Sequence, residues 1–184
     1  QEFIFDDVVK KIKSANIEYI PGLFKLFDEG LVNSRDHVIR MLTSTDEDKC
    51  MVTKIDISVT DDGVITIMND GNGIDIQKHP EYDIWIPEMI FAHLRTGTNY
   101  DKEEKKIVGG KNGFGVKLIY IWSTFGELET VDHKQNLKYH QQFTNNLDTI
   151  HPPTIEKLKK KTKPYTKITF KPDYERLGIQ CISP

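Results

Sequence analysis

Apolar and polar residues follow a helical repeat in residues 22–43 and a two-residue repeat in several later segments. In the first segment the apolar side chains recur at the spacing of one helix face. These positions are Leu23, Phe27, Leu31, Val38 and Leu42. Pro21 and Gly22 stand at the start, so the pattern predicts one long amphipathic helix.

The two-residue repeat predicts strands. Residues 54–70 alternate on both sides of Asp61-Asp62-Gly63, which is typical of a β-hairpin. The segments GELETVDH, LKYHQQF and YTKITFKP alternate in the same way. Residues 86–94, with a proline near their start, and the segment VKLIYIWST predict two further helices. Helices and strands are segregated along the chain, which favours an α+β sandwich over a doubly wound sheet.

Composition narrows the class of protein without naming a function. The 184 residues suit one domain, and a net charge of -3 provides no global basic field. Cys50 and Cys181 match no metal or redox spacing, so we expect free thiols in a reducing compartment. The basic segment KLKKKTK (157–163) favours a solvated surface over a DNA site.

A glycine-rich segment, GGKNGFG, precedes the helix predicted in VKLIYIWST. It lacks the Gly-Lys-Ser/Thr ending of a P-loop, and it does not follow a strand as a Rossmann loop does. Two interpretations stay open. Its backbone N–H groups could converge on an anion beside Lys111 and Lys117, or the glycines could form a flexible surface loop.

Polar residues form a stripe on the long helix. Glu29 and Asn33 are one turn apart, and Asp36 and His37 continue the stripe. A carboxylate can act as a general base, and an amide oxygen is a hard ligand that suits Mg²⁺. A solvated polar face has the same pattern, although the strongly apolar face beside this one weakens that alternative.

A tight turn, MNDGNGID, follows the predicted hairpin directly. It leaves the Asp70 carboxylate at the end of a strand. A carboxylate there can accept a hydrogen bond from an exocyclic amine such as that of adenine. Asn and Asp also cap their own backbone in turns, and taken alone the segment favours that simpler interpretation.

These three features occur in an order that resembles the GHKL, or Bergerat, ATP-binding fold of gyrase-type topoisomerases, MutL proteins, heat-shock chaperones and histidine kinases. Four segments are similar to the ATPase domain of the eukaryotic-type (type IIA) DNA topoisomerase II family: YIPGLFKLFDEGLVNSRDH, NDGNGI, IPEMIFAHLRTGTNYD and EEKKIVGGKNGFGVKL. The resemblance covers residues 19–132 and continues more weakly to ITFKPDYERLG. It implies a two-layer α/β sandwich of the α+β class, with helices packed on one face of a mixed, mostly antiparallel sheet.

The resemblance also implies roles for individual residues. Glu29 would be the general base that activates the attacking water, and Asn33 would hold Mg²⁺. Asn69, Asp70 and Gly73 would lie at the adenine end of the nucleotide. The other implied nucleotide-binding positions are Asp36, Gly97, Thr98 and Asn99, and a lid formed by Gly110, Lys111, Asn112, Gly113, Phe114, Gly115, Val116 and Lys117.

Four positions depart from the family pattern. Gly30 stands where a bulky apolar residue is usual, and glycine inside a helix costs about 1 kcal/mol relative to alanine, so we expect the helix to bend or to pack differently. Gly97 removes one hydroxyl contact, and Lys111 and Val116 replace Arg and Ala. None of these changes removes the base or the metal ligand.

The implied cofactors are ATP and Mg²⁺, and the implied activity is that of an ATP-hydrolysing type II DNA topoisomerase, in which nucleotide-driven dimerisation closes an entry gate for DNA. We expect a single ATP-binding domain, with residues 1–18 as an N-terminal arm and without transducer and DNA-cleavage domains. By itself the chain should hydrolyse ATP poorly, cut no DNA and bind DNA only weakly. The alternatives are another GHKL ATPase, MutL- or chaperone-like, and a non-hydrolysing nucleotide-sensing module. A nuclear eukaryotic enzyme and a protein of a large DNA virus both fit.

Overall fold

The computed structural model describes residues 1–93 and 115–182. Helix α1 spans Pro21–Thr43, which confirms the long helix predicted from the apolar repeat. Proline suits the first position because its missing N–H would have no partner within the helix. The helix ends before Ser44, whose backbone is extended and whose N–H donates to the Arg40 carbonyl at 2.9 Å.

The main sheet has seven strands in the described part of the chain. The strands are β3 (Ile55–Val59), β4 (Ile65–Asp70), β5 (Ser123–Asp132), β6 (Leu137–Thr144), β7 (Thr149–Ile150), β8 (Thr154–Lys157) and β9 (Tyr165–Pro172). Their order is β3-β4-β9-β5-β6-β7, with β8 also paired to β6, and the recorded pairs are antiparallel. The last strand of the chain therefore lies in the centre of the sheet.

Three helices pack on this sheet within the described ranges: α1, α2 (Ile86–Ala92) and α3 (Gly115–Ile121). The helix predicted in VKLIYIWST ends earlier than expected, because Ser123 and Thr124 already belong to β5. The core between helices and sheet contains Leu26, Ile67, Phe91, Ile119, Leu128, Ile168 and Phe170. The structure confirms the predicted α+β sandwich. Among the described residues, no helix combines the length and apolar character needed to cross a membrane.

The periodicity analysis missed four strands. Residues at the N-terminus form β1 (Glu2–Asp6) and β2 (Lys11–Ala15), an antiparallel pair separate from the main sheet. The short strands β7 and β8 were also not predicted. The N-terminal hairpin exposes Phe3, Phe5 and Ile12 by 80%, 57% and 72%, so burial gives no periodic signal there.

Helix α1 lies close to the sheet at Gly30. A Cβ atom at this position would lie 2.7 Å from Cδ1 of Ile67 on β4 and 3.3 Å from Cδ1 of Ile168 on β9. Helix α1 is continuous across Gly30, and the expected bend or change in packing stays a prediction. The sheet's isoleucines occupy the space that a side chain at Gly30 would fill.

We expect Gly30→Leu to destabilise the protein by about 1–3 kcal/mol, because a larger residue forces this well-packed contact apart. Urea denaturation followed by circular dichroism measures the loss. Gly22→Ala is the matched control at the exposed start of the same helix, where the nearest atom to an added Cβ is 3.5 Å away. Equal stability of Gly30→Leu and the wild type would contradict the close approach.

Candidate nucleotide site

The carboxylate of Glu29 lies between a lysine of its own helix and the first residue of α3. Its Oε1 atom accepts a hydrogen bond from Lys25 Nζ at 2.8 Å. Its Oε2 atom faces Gly115, where a Cβ atom would lie only 1.7 Å away. Hydrogen bonds to Glu29 and Asp28 raise the pKa of the Lys25 amine above its usual value. The fold therefore brings residue 29 into contact with the last glycine of the GGKNGFG segment.

Asn33 lies one turn beyond Glu29 and is half-buried. Across residues 1–93 and 115–182, its amide takes part in none of the side-chain hydrogen bonds, so its oxygen is available to a ligand. The same residues contain no group of three or more His, Cys, Asp or Glu side chains that could hold a metal ion. Any metal here would depend on oxygen ligands from a bound substrate in addition to the protein.

Two buried polar atoms of α1 have no hydrogen-bond partner among residues 1–93 and 115–182: Asp36 Oδ1 and His37 Nε2. Asp36 is only 8% exposed, and its Oδ1 atom lies 3.6 Å from Arg35 Nη1. The His37 ring packs against the turn after β4, since a Cβ atom on Gly71 would lie 3.1 Å from Nε2. Burial, with a further contribution from Arg40, lowers the pKa of His37 to about 4.

Asp70 ends β4, and its carboxylate is fully engaged by protein donors. Oδ1 accepts the backbone N–H groups of Thr53 and Lys54 at 2.7 and 2.8 Å. Oδ2 accepts the Thr53 hydroxyl and Lys163 Nζ, both at 2.6 Å. Burial alone would raise the pKa of Asp70, but the hydrogen bonds from Lys163 and Thr53 outweigh burial and hold it well below its usual range.

A carboxylate has about four acceptor sites, and these four donors occupy them. The geometry therefore favours a structural role, in which Asp70 ties the start of β3 and the β8–β9 loop to the end of β4. The contact between Asp70 and an exocyclic amine stays a prediction, and the four hydrogen bonds that Asp70 already accepts do not favour it.

Asn69 is the more suitable polar group at this end of the sheet. It is 4% exposed, and its Nδ2 atom donates to the Asp70 carbonyl at 2.9 Å. Asn69 is paired in register with Thr166 of β9, whose hydroxyl lies 3.1 Å from that of Thr130 on β5. The sequence analysis missed both threonines, because only the pairing of β9 between β4 and β5 brings them beside Asn69.

Gly73 holds the turn against the sheet. A Cβ atom there would lie 1.9 Å from the Val131 carbonyl oxygen, so only glycine fits. The next residue, Ile74, donates its backbone N–H to the Thr130 hydroxyl at 3.0 Å. These contacts fix the predicted turn beside the buried threonines.

The remaining predicted positions divide into two groups. Gly115, Val116 and Lys117 lie in α3, where Lys117 is 2% exposed and Val116 packs against the core. The others lie outside the described residues: Gly97, Thr98, Asn99, Gly110, Lys111, Asn112, Gly113 and Phe114. Their predicted roles stay predictions.

A family model described as histidine kinase-, DNA gyrase B- and HSP90-like ATPase matches residues 19–176. The chain belongs to this ATPase family. A DNA topoisomerase 2 of Acanthamoeba polyphaga mimivirus is 46% identical over 172 residues, which cover 94% of this chain and 13% of that protein. The Saccharomyces cerevisiae DNA topoisomerase 2 is 44% identical over 180 residues, or 97% of this chain and 12% of that protein.

Solved structures of the ATPase family agree with the sequence matches. The crystal structure of the ATPase region of S. cerevisiae topoisomerase II has a TM-score of 0.87 at 43% identity, and the match covers 99% of this chain and 46% of that chain. The Thermus thermophilus gyrase B ATPase domain shares the fold, with a TM-score of 0.67 at 22% identity over 90% of this chain and 37% of that one. The predicted resemblance to topoisomerase II ATPase domains is confirmed. The chain spans 12–13% of the length of these two curated relatives.

We expect His37 to make stability depend on pH. The folded pKa is about 4, below the ordinary value of 6.5, so the unfolded chain binds a proton first as the pH falls. The contribution is complete above pH 6.5 and is lost towards pH 4, at up to about 1.4 kcal/mol per pH unit. Thermal denaturation between pH 7.5 and pH 5 measures this dependence, and we expect His37→Gln to weaken it.

The control is His79→Gln, which removes a half-buried histidine that stacks on Tyr82, away from α1. That variant should lose stability on acidification as steeply as the wild type. If His37→Gln and the wild type lose stability in parallel, the burial of a neutral His37 is contradicted.

Proposed function

We propose that the chain binds ATP between the Glu29–Asn33 side of α1, the turn 69–73 and the start of α3. The contact between Glu29 and Gly115 carries this proposal, because it joins an acid on α1 to the end of the glycine-rich segment. Glycine segments that lead into helices bind phosphate through backbone N–H groups. Asn69, beside Thr166, would then lie at the adenine end.

Asn33 would hold Mg²⁺ through its amide oxygen, with the remaining ligands supplied by phosphate oxygens and water. The donor set fits this ion, since Mg²⁺ prefers hard oxygen ligands and is commonly held by one or two protein groups plus a nucleotide. Magnesium bound there would neutralise negative charge on the phosphate oxygens. In this arrangement Asn33 would be the protein side chain that binds the ion.

Hydrolysis would use the carboxylate of Glu29 as the base that accepts a proton from water. Lys25 holds one carboxylate oxygen at 2.8 Å and so fixes the orientation of the other towards Gly115. Catalysis at such a site depends on positioning and electrostatic stabilisation. Asp36, whose Oδ1 atom has no hydrogen-bond partner in the described part of the chain, would contact the nucleotide through water.

The larger protein would be an ATP-dependent type II DNA topoisomerase. This part of the proposal rests on relatives named DNA topoisomerase 2, of which the chain matches only 12–13%. Nucleotide binding would drive dimerisation of two such domains, and DNA would be bound by the whole enzyme.

We expect Glu29→Gln to preserve nucleotide affinity and to reduce ATP turnover by at least about 100-fold, since general base catalysis contributes that much or more. Titration calorimetry of the chain with a non-hydrolysable ATP analogue measures affinity. Phosphate release by the full-length protein measures turnover.

Asp28→Asn is the matched control for that variant. Asp28 is the neighbouring acid and also accepts a hydrogen bond from Lys25, at 2.9 Å. It should retain most of the turnover. Turnover by Glu29→Gln at the wild-type rate would exclude Glu29 as the base. Nucleotide binding by the wild-type protein with no ATP turnover by that same wild-type protein would favour a nucleotide-sensing module.

A further inference from the structure

The segment that connects β8 to β9 is strongly basic. It carries five exposed lysines in seven residues: Lys157, Lys159, Lys160, Lys161 and Lys163. Lys163 is ion-paired with Asp70 at 2.6 Å. The other four make no ion pair within residues 1–93 and 115–182. A local excess of positive charge therefore persists on a chain whose net charge is -3.

A pocket of about 240 Å³ lies at the base of this lysine loop, which we define as residues 157–163. Its lining residues are Cys50, His133, Lys161, Thr162, Lys163 and Pro164. None of them is acidic. The nearby acidic segment 46–48 is tied to the β5–β6 turn, where Lys134 pairs with Asp46 and His133 lies 2.9 Å from the Asp48 carbonyl oxygen.

We propose that the lysine loop and its pocket bind the phosphate groups of a nucleic-acid backbone. The sequence alone favoured a solvated surface for these lysines. The fold adds a concave site without lining acids, and it leaves four of the five lysines unpaired in the described structure. The pocket adjoins the turn 69–73 through the Lys163–Asp70 ion pair, but none of its lining residues belongs to the proposed ATP site, so the inference goes beyond the proposed function.

The distribution of charge favours nucleic acid over a small anion. Seven residues reach up to roughly 23 Å when extended, which is several phosphate spacings. A single phosphate could contact only the two lysines at the pocket. Phosphate contacts need cations and no apolar anchor. Protein partners usually insert aromatic or aliphatic anchors, and the lysine loop has no exposed large apolar side chain.

Binding of a fluorescent 20-base-pair duplex, measured by anisotropy from low to moderate salt, tests the proposal without nucleotide. The logarithm of the binding constant falls linearly with the logarithm of the salt concentration, and each lost phosphate contact should reduce the magnitude of this slope by about 0.9. We expect the triple variant K159E/K160E/K161E to bind at least 10-fold more weakly at low salt and to lose about 2.7 from that slope. Lys163 is left intact, so the hydrogen bonds of Asp70 are preserved.

The matched control is K10E/K11E/K13E, which changes the net charge equally on the N-terminal hairpin. It should bind the duplex more tightly than the loop variant and keep the wild-type slope. Equal weakening of the two variants, or no duplex binding by the wild type at low salt, would overturn the proposal.

The two cysteines locate the ligand independently. Cys50 lines the pocket, whereas Cys181 lies beside Gly63 at the opposite end of β4, and both are half-buried. We expect the duplex to slow alkylation of Cys50 by N-ethylmaleimide several-fold and to leave Cys181 unchanged. If inorganic phosphate at the same phosphate concentration protects Cys50 equally well, the ligand is a small anion and the proposed nucleic acid is wrong. If the duplex gives Cys50 no protection, the proposed site is wrong.

Discussion

The close approach of α1 to the sheet at Gly30 is the contact on which the candidate site depends. Because Gly30 has no side chain, Ile67 and Ile168 pack directly beneath the helix. Ile119 in α3 is also close, since its Cδ1 atom would lie 3.5 Å from a Cβ atom added to Gly30. A glycine inside a helix is unfavourable by about 1 kcal/mol relative to alanine. Burial of three isoleucines around it offsets that penalty and fixes the distance between the helix and strands β4 and β9.

The distance between α1 and the sheet determines which groups the polar side chains of α1 can contact. Glu29 contacts the first residue of α3, and His37, two turns later, packs against the turn that ends β4. The same stripe therefore runs from Gly115, the last glycine of the glycine-rich segment, to Gly71 in the turn after β4. A substrate with a phosphate end and a base end fits this arrangement, and nucleoside triphosphates have both.

The apolar repeat was sufficient to predict α1, the β3–β4 hairpin and the long strands, because α1, β4, β6 and β9 each bury one regular face. It could not predict the position of β9 between β4 and β5, because β9 pairs with β4 across about a hundred residues of sequence. For the same reason the saturation of Asp70 was not foreseen, since its donor Lys163 is 93 residues away in sequence. The threonines beside Asn69 were missed because they adjoin it only in the folded sheet.

The resemblance to topoisomerase II supplied what periodicity could not, namely a role for Glu29 and Asn33. The central claim is that α1 holds these two residues against a bound nucleotide. A crystal structure of the chain with a non-hydrolysable ATP analogue and Mg²⁺ tests it most directly. The account predicts the γ-phosphate next to Glu29 and Gly115, magnesium on the Asn33 oxygen, and adenine at Asn69. A nucleotide bound away from α1, or adenine held by the Asp70 carboxylate, would contradict it.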